Sequence, residues 1–234
     1  MHFNIITLFP EMFPGTLGGG VVGRALANGL WSMNIINLRD FATDNYGAVD
    51  DAQFGGGAGQ VMRADIIAAA IDSIRMKEEG RRMKIIYFSP RGKLLNQKIV
   101  RESSADSRLH PSSFILLCGR FEGIDQRVID EYDITEISIG DYILSGGEIA
   151  AQVFIDSLVR LIDNVVHSPE SVANESFEIG GLEWPLYTRP SSWRGRNVPE
   201  VLMSGHHGNI ERWRKQQSDD ITKQRRPDLV KSDM

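Results

Sequence analysis

Apolar positions along the chain fall into short runs that alternate with longer stretches of helical period. HFNIITLF near the start, then MNIINLRDF, KIIYFSP, SFILLCG and TEISIGDYIL are rich in Ile, Phe and Tyr and mostly end at turn residues, which predicts strands. Between them GRALANGLW, RADIIAAAIDSIRMKEEG, NQKIVRESSAD and GIDQRVIDEY suit helices. Strands separated by helices of this length predict an α/β fold, a mainly parallel sheet with helices on both faces. The apolar run IAAQVFIDSLVRLI predicts one more helix from about 148 to 163 and closes a first domain at residues 1–163. HSPESVANESFEIGG is polar, breaker-rich and without period, which predicts a flexible linker at 164–177. Residues 178–234 then form a small helical domain, with NIERWRKQQSDDITKQRRPDL as one or two amphipathic helices.

Composition narrows this picture. At 234 residues and 41% hydrophobic content the chain can bury a large core. No stretch approaches the roughly 18 apolar residues of a membrane span. MHFNIITLFPEM lacks the basic region and cleavage site of a signal peptide, so a cytoplasmic protein is expected. One cysteine, Cys118 in FILLCG, reads as a small buried hydrophobe and excludes a disulfide framework. The net charge of −5 is uneven: residues 189–234 carry ten Lys or Arg against six Asp or Glu, so the end of the chain is basic and the body acidic. A basic region of this kind suits a polyanion such as nucleic acid, and suits a solvated helix face equally well.

In an open parallel sheet, ligands collect at the carboxyl ends of the strands. Three predicted strand ends carry glycine-bearing loops: Ser89-Pro90-Arg91-Gly92 after KIIYF, Gly119-Arg120-Phe121-Glu122-Gly123 after FILLC, and Ser145-Gly146-Gly147-Glu148 after the DYIL segment. Together they predict a pocket, with Gly146 and Gly147 allowing backbone to approach a ligand and Glu148 as an ordinary acid opening a helix. GGGVVG at 18–23 matches the dinucleotide fingerprint in letters, with Asp40 or Asp44 about 20 residues on. It lies too far behind its strand, because PEMFPGTL intervenes. There is no P-loop signature, and His206-His207, as sequence neighbours, do not make a metal site.

At SIGDYILSGGE the residues carry a resemblance. With LFPEMF, VDDAQFGGGAGQVM, LLCGRFEGIDQRVID, YTRP, VPEVLMSGHH, IERWR and RRPDL in the same order, the chain resembles the bacterial tRNA (guanine-37-N1)-methyltransferase family of the knotted SPOUT class. The resemblance implies a deep C-terminal trefoil knot whose loops bind S-adenosyl-L-methionine. By position these are Phe88, Ser89 and Pro90, then Gly119, Phe121, Glu122 and Gly123, then Ile139, Gly140, Tyr142, Leu144, Gly146 and Gly147. It also implies methylation at N1 of guanosine 37 beside the anticodon, an activity that supports reading-frame maintenance, with Mg2+ as an optional assistant.

That nitrogen must lose a proton as the methyl arrives, and charge moves toward O6, so a base and a cation are required. The resemblance assigns Glu175 as the general base, where many relatives carry aspartate, and Arg160 as the cation. Read alone, an arginine in an apolar stripe is either a snorkelling surface residue or a partnered functional one. Phe121 stands where tyrosine is common and Ala58 where proline is. The resemblance further implies a homodimer whose active sites lie at the subunit interface. The tRNA anticodon arm would meet Asp50, Asp51, Gly55, Gly56 and Gly57 of one part of the chain and Arg189, Arg194, Ser204 and Arg214 of another. Two rivals are a non-catalytic RNA-binding protein that kept the fold but lost activity through glutamate at the base, against which the complete SPRG, CGRFEG and IGDYILSGGE loops speak, and a nicotinamide-dependent oxidoreductase built on GGGVVG.

Overall fold

In β1 (His2–Thr7), Phe3 and Ile5 face one way and Asn4 and Ile6 the other, and all four are almost fully buried. Burial on both faces follows from the architecture of this computed structural model, which describes residues 1–79, 83–105, 113–166, 172 and 174–230. After β1 come two 3-10 turns, Pro10–Met12 and Gly15–Gly18, then α1 (Gly20–Ala27), β2 (Ser32–Asn37), a short hairpin of β3 (Asp50–Ala52) and β4 (Gln60–Met62), and α2 (Ala64–Lys77). The chain continues through β5 (Met83–Leu94), α3 (Gln97–Ala105), β6 (Ser113–Leu117), α4 (Gln126–Glu131), β7 (Thr135–Ser138) and α5 (Glu148–Val159).

Five strands form one sheet in the order β2-β1-β6-β5-β7, and every pairing is parallel. Their near-continuous apolar runs are what a sheet covered on both faces requires. On one face Phe3, Phe114, Phe88 and Phe154 form a ladder of rings with centroids 5.4–5.9 Å apart, closed by Trp31 and by Ile155 and Leu158 of α5. On the other, Ile6, Ile85, Ile115 and Leu117 pack against Ile66, Ile67, Ile71 and Ile74 of α2 and Val128 of α4. The expected α/β sheet with helices on both faces is the observed one.

Several boundaries differ from the sequence reading. TEISIGDYIL is a strand only to Ser138, since Gly140 has φ 153° and Ser138 Oγ turns back to the Gly140 carbonyl at 3.1 Å. SPRG is not a strand-to-helix loop but an excursion inside β5: Phe88 and Lys93 both pair with Ile137, and Ser89–Gly92 bulge between them. GGGVVG runs into α1, and a Cβ at Gly23 would collide with the Gly18 carbonyl, so this glycine serves packing within the protein.

Contact clustering splits the chain into two compact units, Met1–Val166 and His167–Met234. Of the linker expected at 164–177, residues 167–171 and 173 lie outside the described residues. The second unit contains a hairpin of β8 (Ser192–Trp193) and β9 (Arg196–Asn197), then α6 (Glu200–Met203) and α7 (His207–Arg225), a single helix where one or two were expected. Ser218 and Thr222 of α7 pin the strand-like segment before the hairpin: Ser218 Oγ donates to the Leu182 carbonyl at 2.6 Å, and Leu182 N donates to Thr222 Oγ1 at 2.8 Å.

Phe154 is fully buried against two other rings. Phe154→Ala is expected to cost about 3–5 kcal/mol in denaturant unfolding, whereas Val153→Ala, at a position 43% exposed, stays within about 0.5 kcal/mol.

Candidate active site

The neighbours β6, β5 and β7 bring the excursion inside β5 beside the loops that leave β6 and β7, and both of those loops contain positive-φ turns. A cavity of about 250 Å³ lies between these segments. Every residue named above for the cofactor lines it: Phe88, Ser89 and Pro90 from the β5 excursion, Gly119, Phe121, Glu122 and Gly123 after β6, and Ile139, Gly140, Tyr142, Leu144, Gly146 and Gly147 after β7. The cofactor assignment missed Tyr87, Arg120, Ile137, Ser138, Ile143, Ser145 and Ala150, which also line it, although Arg120 and Ser145 stood in the loops expected to form the pocket. Tyr87 and Ser138 could have been found as the residues preceding those named.

Local chemistry shapes this cavity. Phe121 sits at φ 56°, and Gly123 and Gly140 also have positive φ, so two turns reverse sharply. Gly140 N donates to Ser138 Oγ at 3.3 Å, and the Tyr142 hydroxyl donates to the Ile139 carbonyl at 3.0 Å, which folds the Tyr142 ring over Gly140. Gly147 N donates to the Gly119 carbonyl at 3.0 Å and ties the β7 loop to the β6 loop. Ile139 and Leu144 back onto the apolar core, while Phe121, Tyr142 and Ile143 stand more than half exposed at the rim. Burial first, then the Glu136 charge, pushes the Tyr87 phenol up, so it stays a protonated donor. Backbone amides and carbonyls beside apolar walls are a donor set suited to an adenine and a ribose.

Glu148 is not the ordinary helix-start acid the sequence suggested. It is fully buried, and its Oε1 accepts from Thr7 Oγ1 at 2.8 Å and from Arg120 Nε at 3.3 Å. Its Oε2 lies 2.8 Å from Arg120 Nη2, an ion-pair contact without hydrogen-bond geometry. The two glycines before it also turn out to clear space for protein. A Cβ on Gly146 would strike the Arg120 guanidinium, and one on Gly147 would lie 2.8 Å from Cys118 Cα. Cys118 itself is fully buried, and burial pushes its thiol well up, which suits the inert hydrophobe expected.

The β3–β4 hairpin is stitched to the β6 loop. Met62 N donates to the Gly123 carbonyl at 2.9 Å and Glu122 N to the Gln60 carbonyl at 2.9 Å, and the Glu122 side chain occupies the space beside Gly59. Asp50 and Asp51 on β3, and the exposed turn of Gly55, Gly56 and Gly57, therefore sit next to the cavity without lining it. Gly55–Gly57 all have positive φ, and Gln53 Nε2 holds the turn by donating to the Ala58 carbonyl at 3.0 Å.

Of the other expected site residues, Arg160 does not line the cavity and the rest belong to the second unit. Arg160 caps the far end of α5, whose first turn carries the cavity; twelve residues separate them, roughly 18 Å of helix axis. A cation at a helix C-terminus is also favoured by the helix dipole. Glu175 belongs to the second unit, in a turn fixed by Phe177 N donating to the Gly181 carbonyl at 2.7 Å and by Ser176 hydrogen-bonded to Glu183. In the same unit Arg194 turns the β8–β9 hairpin at φ 52° with its guanidinium 4.9 Å from the Trp193 ring, and Arg214 lies 5.0 Å from that of Trp184. Arg189 precedes a cis proline, Ser204 ends α6, and Trp213 packs on Tyr187 with ring centroids 6.3 Å apart. Among the described residues no group of three or more His, Cys, Asp or Glu is placed to hold a metal, and no helix is long and apolar enough to cross a membrane.

A doubly covered parallel sheet with a glycine-walled cavity at the ends of its adjacent strands defines an α/β protein of the nucleotide-cofactor-binding kind. The chain is more specific than that: over residues 1–232 it matches the family model described as tRNA (Guanine-1)-methyltransferase TrmD, and it belongs to that family, of SPOUT fold. It is similar to the tRNA (guanine-N(1)-)-methyltransferase of Ehrlichia ruminantium (strain Gardel), 54% identical over 98% of this chain and 95% of the relative. That of Rhodospirillum rubrum is 54% identical over 96% and 90%, and that of Cereibacter sphaeroides (strain KD131) 52% identical over 97% and 90%.

The glycine reading is testable on stability alone. Gly147→Ala places its Cβ against backbone and is expected to cost about 1–3 kcal/mol, while Gly208→Ala, with open space around it in α7, is neutral or stabilising by up to about 1 kcal/mol. Unfolding midpoints of the two variants check the contrast.

Proposed function

We propose that this chain transfers a methyl group from S-adenosyl-L-methionine to N1 of guanosine 37 of tRNA, beside the anticodon, acting as a cytoplasmic homodimer. The observation that carries the reading is the convergence of the β5 excursion and the glycine-bearing loops after β6 and β7 on one cavity in a chain that belongs to the tRNA (Guanine-1)-methyltransferase family. A trefoil knot through these loops is part of the proposal.

When bound, the cofactor supplies an electrophilic methyl on a sulfonium. The chain's residues hold and orient it. Main chain at Gly119, Gly123, Gly140 and Gly147 lines the cavity and lets a base and ribose approach closely, with Ile139 and Leu144 as apolar walls. Glu122 brings a carboxylate to the mouth, beside the glycine turn of the hairpin. Asp50 and Asp51 sit where a splayed-out guanine entering past that turn would meet them. The Glu175 carboxylate takes the N1 proton, and the Arg160 guanidinium offsets charge building on O6.

Arg160 stands at the opposite end of α5 from its own chain's cavity, which supports an active site completed by a second copy: the cavity of one subunit with Arg160 and Glu175 of its partner. The second unit offers an RNA surface of the expected chemistry, guanidinium groups beside aromatic rings at Arg194–Trp193 and Arg214–Trp184, with Arg189 and Ser204 in the same unit. Residues 164–177 act as the linker that carries the base.

Methyl transfer from labelled S-adenosyl-L-methionine to unmodified tRNA with guanosine at position 37 tests the reading. The native chain is expected to be active, and Glu175→Gln to lose about 10²–10⁴-fold in rate with cofactor affinity unchanged. A Glu175→Gln variant as active as the native chain removes Glu175 as the base. A native chain that binds tRNA and transfers nothing removes the enzymatic reading.

A further inference from the structure

We propose that Glu148 is a positioning residue for the cofactor cavity: through its buried ion pair with Arg120 it latches the Gly119–Gly123 loop to the Ser145–Gly147 loop at a fixed spacing. The inference rests on the reading of that cavity as the S-adenosyl-L-methionine site.

An acid in the first turn of a helix ordinarily sits in water and gains only a modest dipole interaction. Glu148 is instead fully buried, and both its oxygens face one guanidinium, with Thr7 Oγ1 as a third partner. Arg120 spends its remaining groups on other segments. Nη1 donates to the Ser145 carbonyl at 3.0 Å, Nη2 approaches Met12 Sδ at 3.5 Å, and the guanidinium lies 4.3 Å from the Phe9 ring centroid. One guanidinium thus contacts Phe9 and Met12 around the first 3-10 turn, the β7 loop and the start of α5, while its own residue lines the cavity.

Stability is a poor reason for such a pair, since apolar residues of similar volume often serve as well or better. Geometry is a good one. The planar fork of arginine fixes distance and angle together, which a point charge or an apolar contact does not. The pair also accounts for Gly146, because the Arg120 guanidinium and Glu148 Oε2 fill the space a side chain would need. With the Gly147 N to Gly119 carbonyl bond beside it, the separation of the two loops is set before any ligand arrives.

Two full-length variants test this: Glu148→Gln, which keeps size and an acceptor for Thr7 but removes the charge, and Arg120→Lys, which keeps the charge but removes the fork. Affinity for S-adenosyl-L-methionine is measured by calorimetry without tRNA, tRNA affinity by filter binding, and exchange of the Ser145–Gly147 amides by mass spectrometry. Cofactor Kd is expected to rise at least about tenfold in both variants, with faster exchange at Ser145–Gly147 and tRNA affinity within about twofold of the native value. A folded Glu148→Gln whose cofactor Kd and loop exchange match the native chain overturns the latch. If that variant does not fold, Arg120→Lys decides by the same readouts. If the native chain binds no S-adenosyl-L-methionine, the reading of the cavity falls, and exchange that is unchanged in the variants overturns the latch independently.

Discussion

A parallel sheet buried on both faces leaves no room for chemistry along its strands. Phe3, Ile5, Ile6, Ile115, Leu116 and Leu117 are all fully buried, so polar work is confined to the strand ends. The sheet order puts β6, β5 and β7 side by side, and the β5 excursion and the exits of β6 and β7 crowd into one region. Crowding explains the glycines better than ligand contact alone. Gly92 clears the β7 backbone, Gly119 clears the Tyr87 ring, Gly146 clears Arg120 and Gly147 clears Cys118. The same crowding makes a cavity walled by main chain, which suits a nucleoside-bearing cofactor.

The constraint also explains why the machinery is divided. α5 begins at the cavity and runs away from it. Arg160 is therefore remote in its own chain, and Glu175 lies in a separate compact unit whose turn is held by Phe177, Ser176 and Glu183. The proposed function brings cofactor, base and cation together with a second copy of the chain.

Much of the sheet was legible in the sequence because HFNIIT, SFILL and KIIYF are apolar on both faces, a pattern that surface strands lack. The ends were less so. TEISIGDYIL keeps its apolar character past Ser138, where Gly140 turns the chain, and SPRG looks like a loop although pairing resumes at Lys93. DDA and QVM are too short to register as strands. The cavity residues were found through glycine-bearing strand ends and the family resemblance together. Glu148 was misread because its partner Arg120 is distant in sequence and adjacent only once β6 and the β7 loop are placed. The acid and the two glycines before it answer to that one guanidinium.

The central claim is that one subunit's cavity works with another subunit's cation, and subunit complementation tests it most directly. Arg160→Ala and Gly140→Val, the latter placing a side chain on the Tyr142 ring at a positive-φ position, are each expected to be inactive as homodimers. Mixed by co-expression, they form heterodimers with one intact site, and methyl transfer is expected to recover to about a quarter of the native rate. If the mixture stays as inactive as its components while the heterodimers demonstrably form, Arg160 acts within its own chain and the account of a shared active site is wrong.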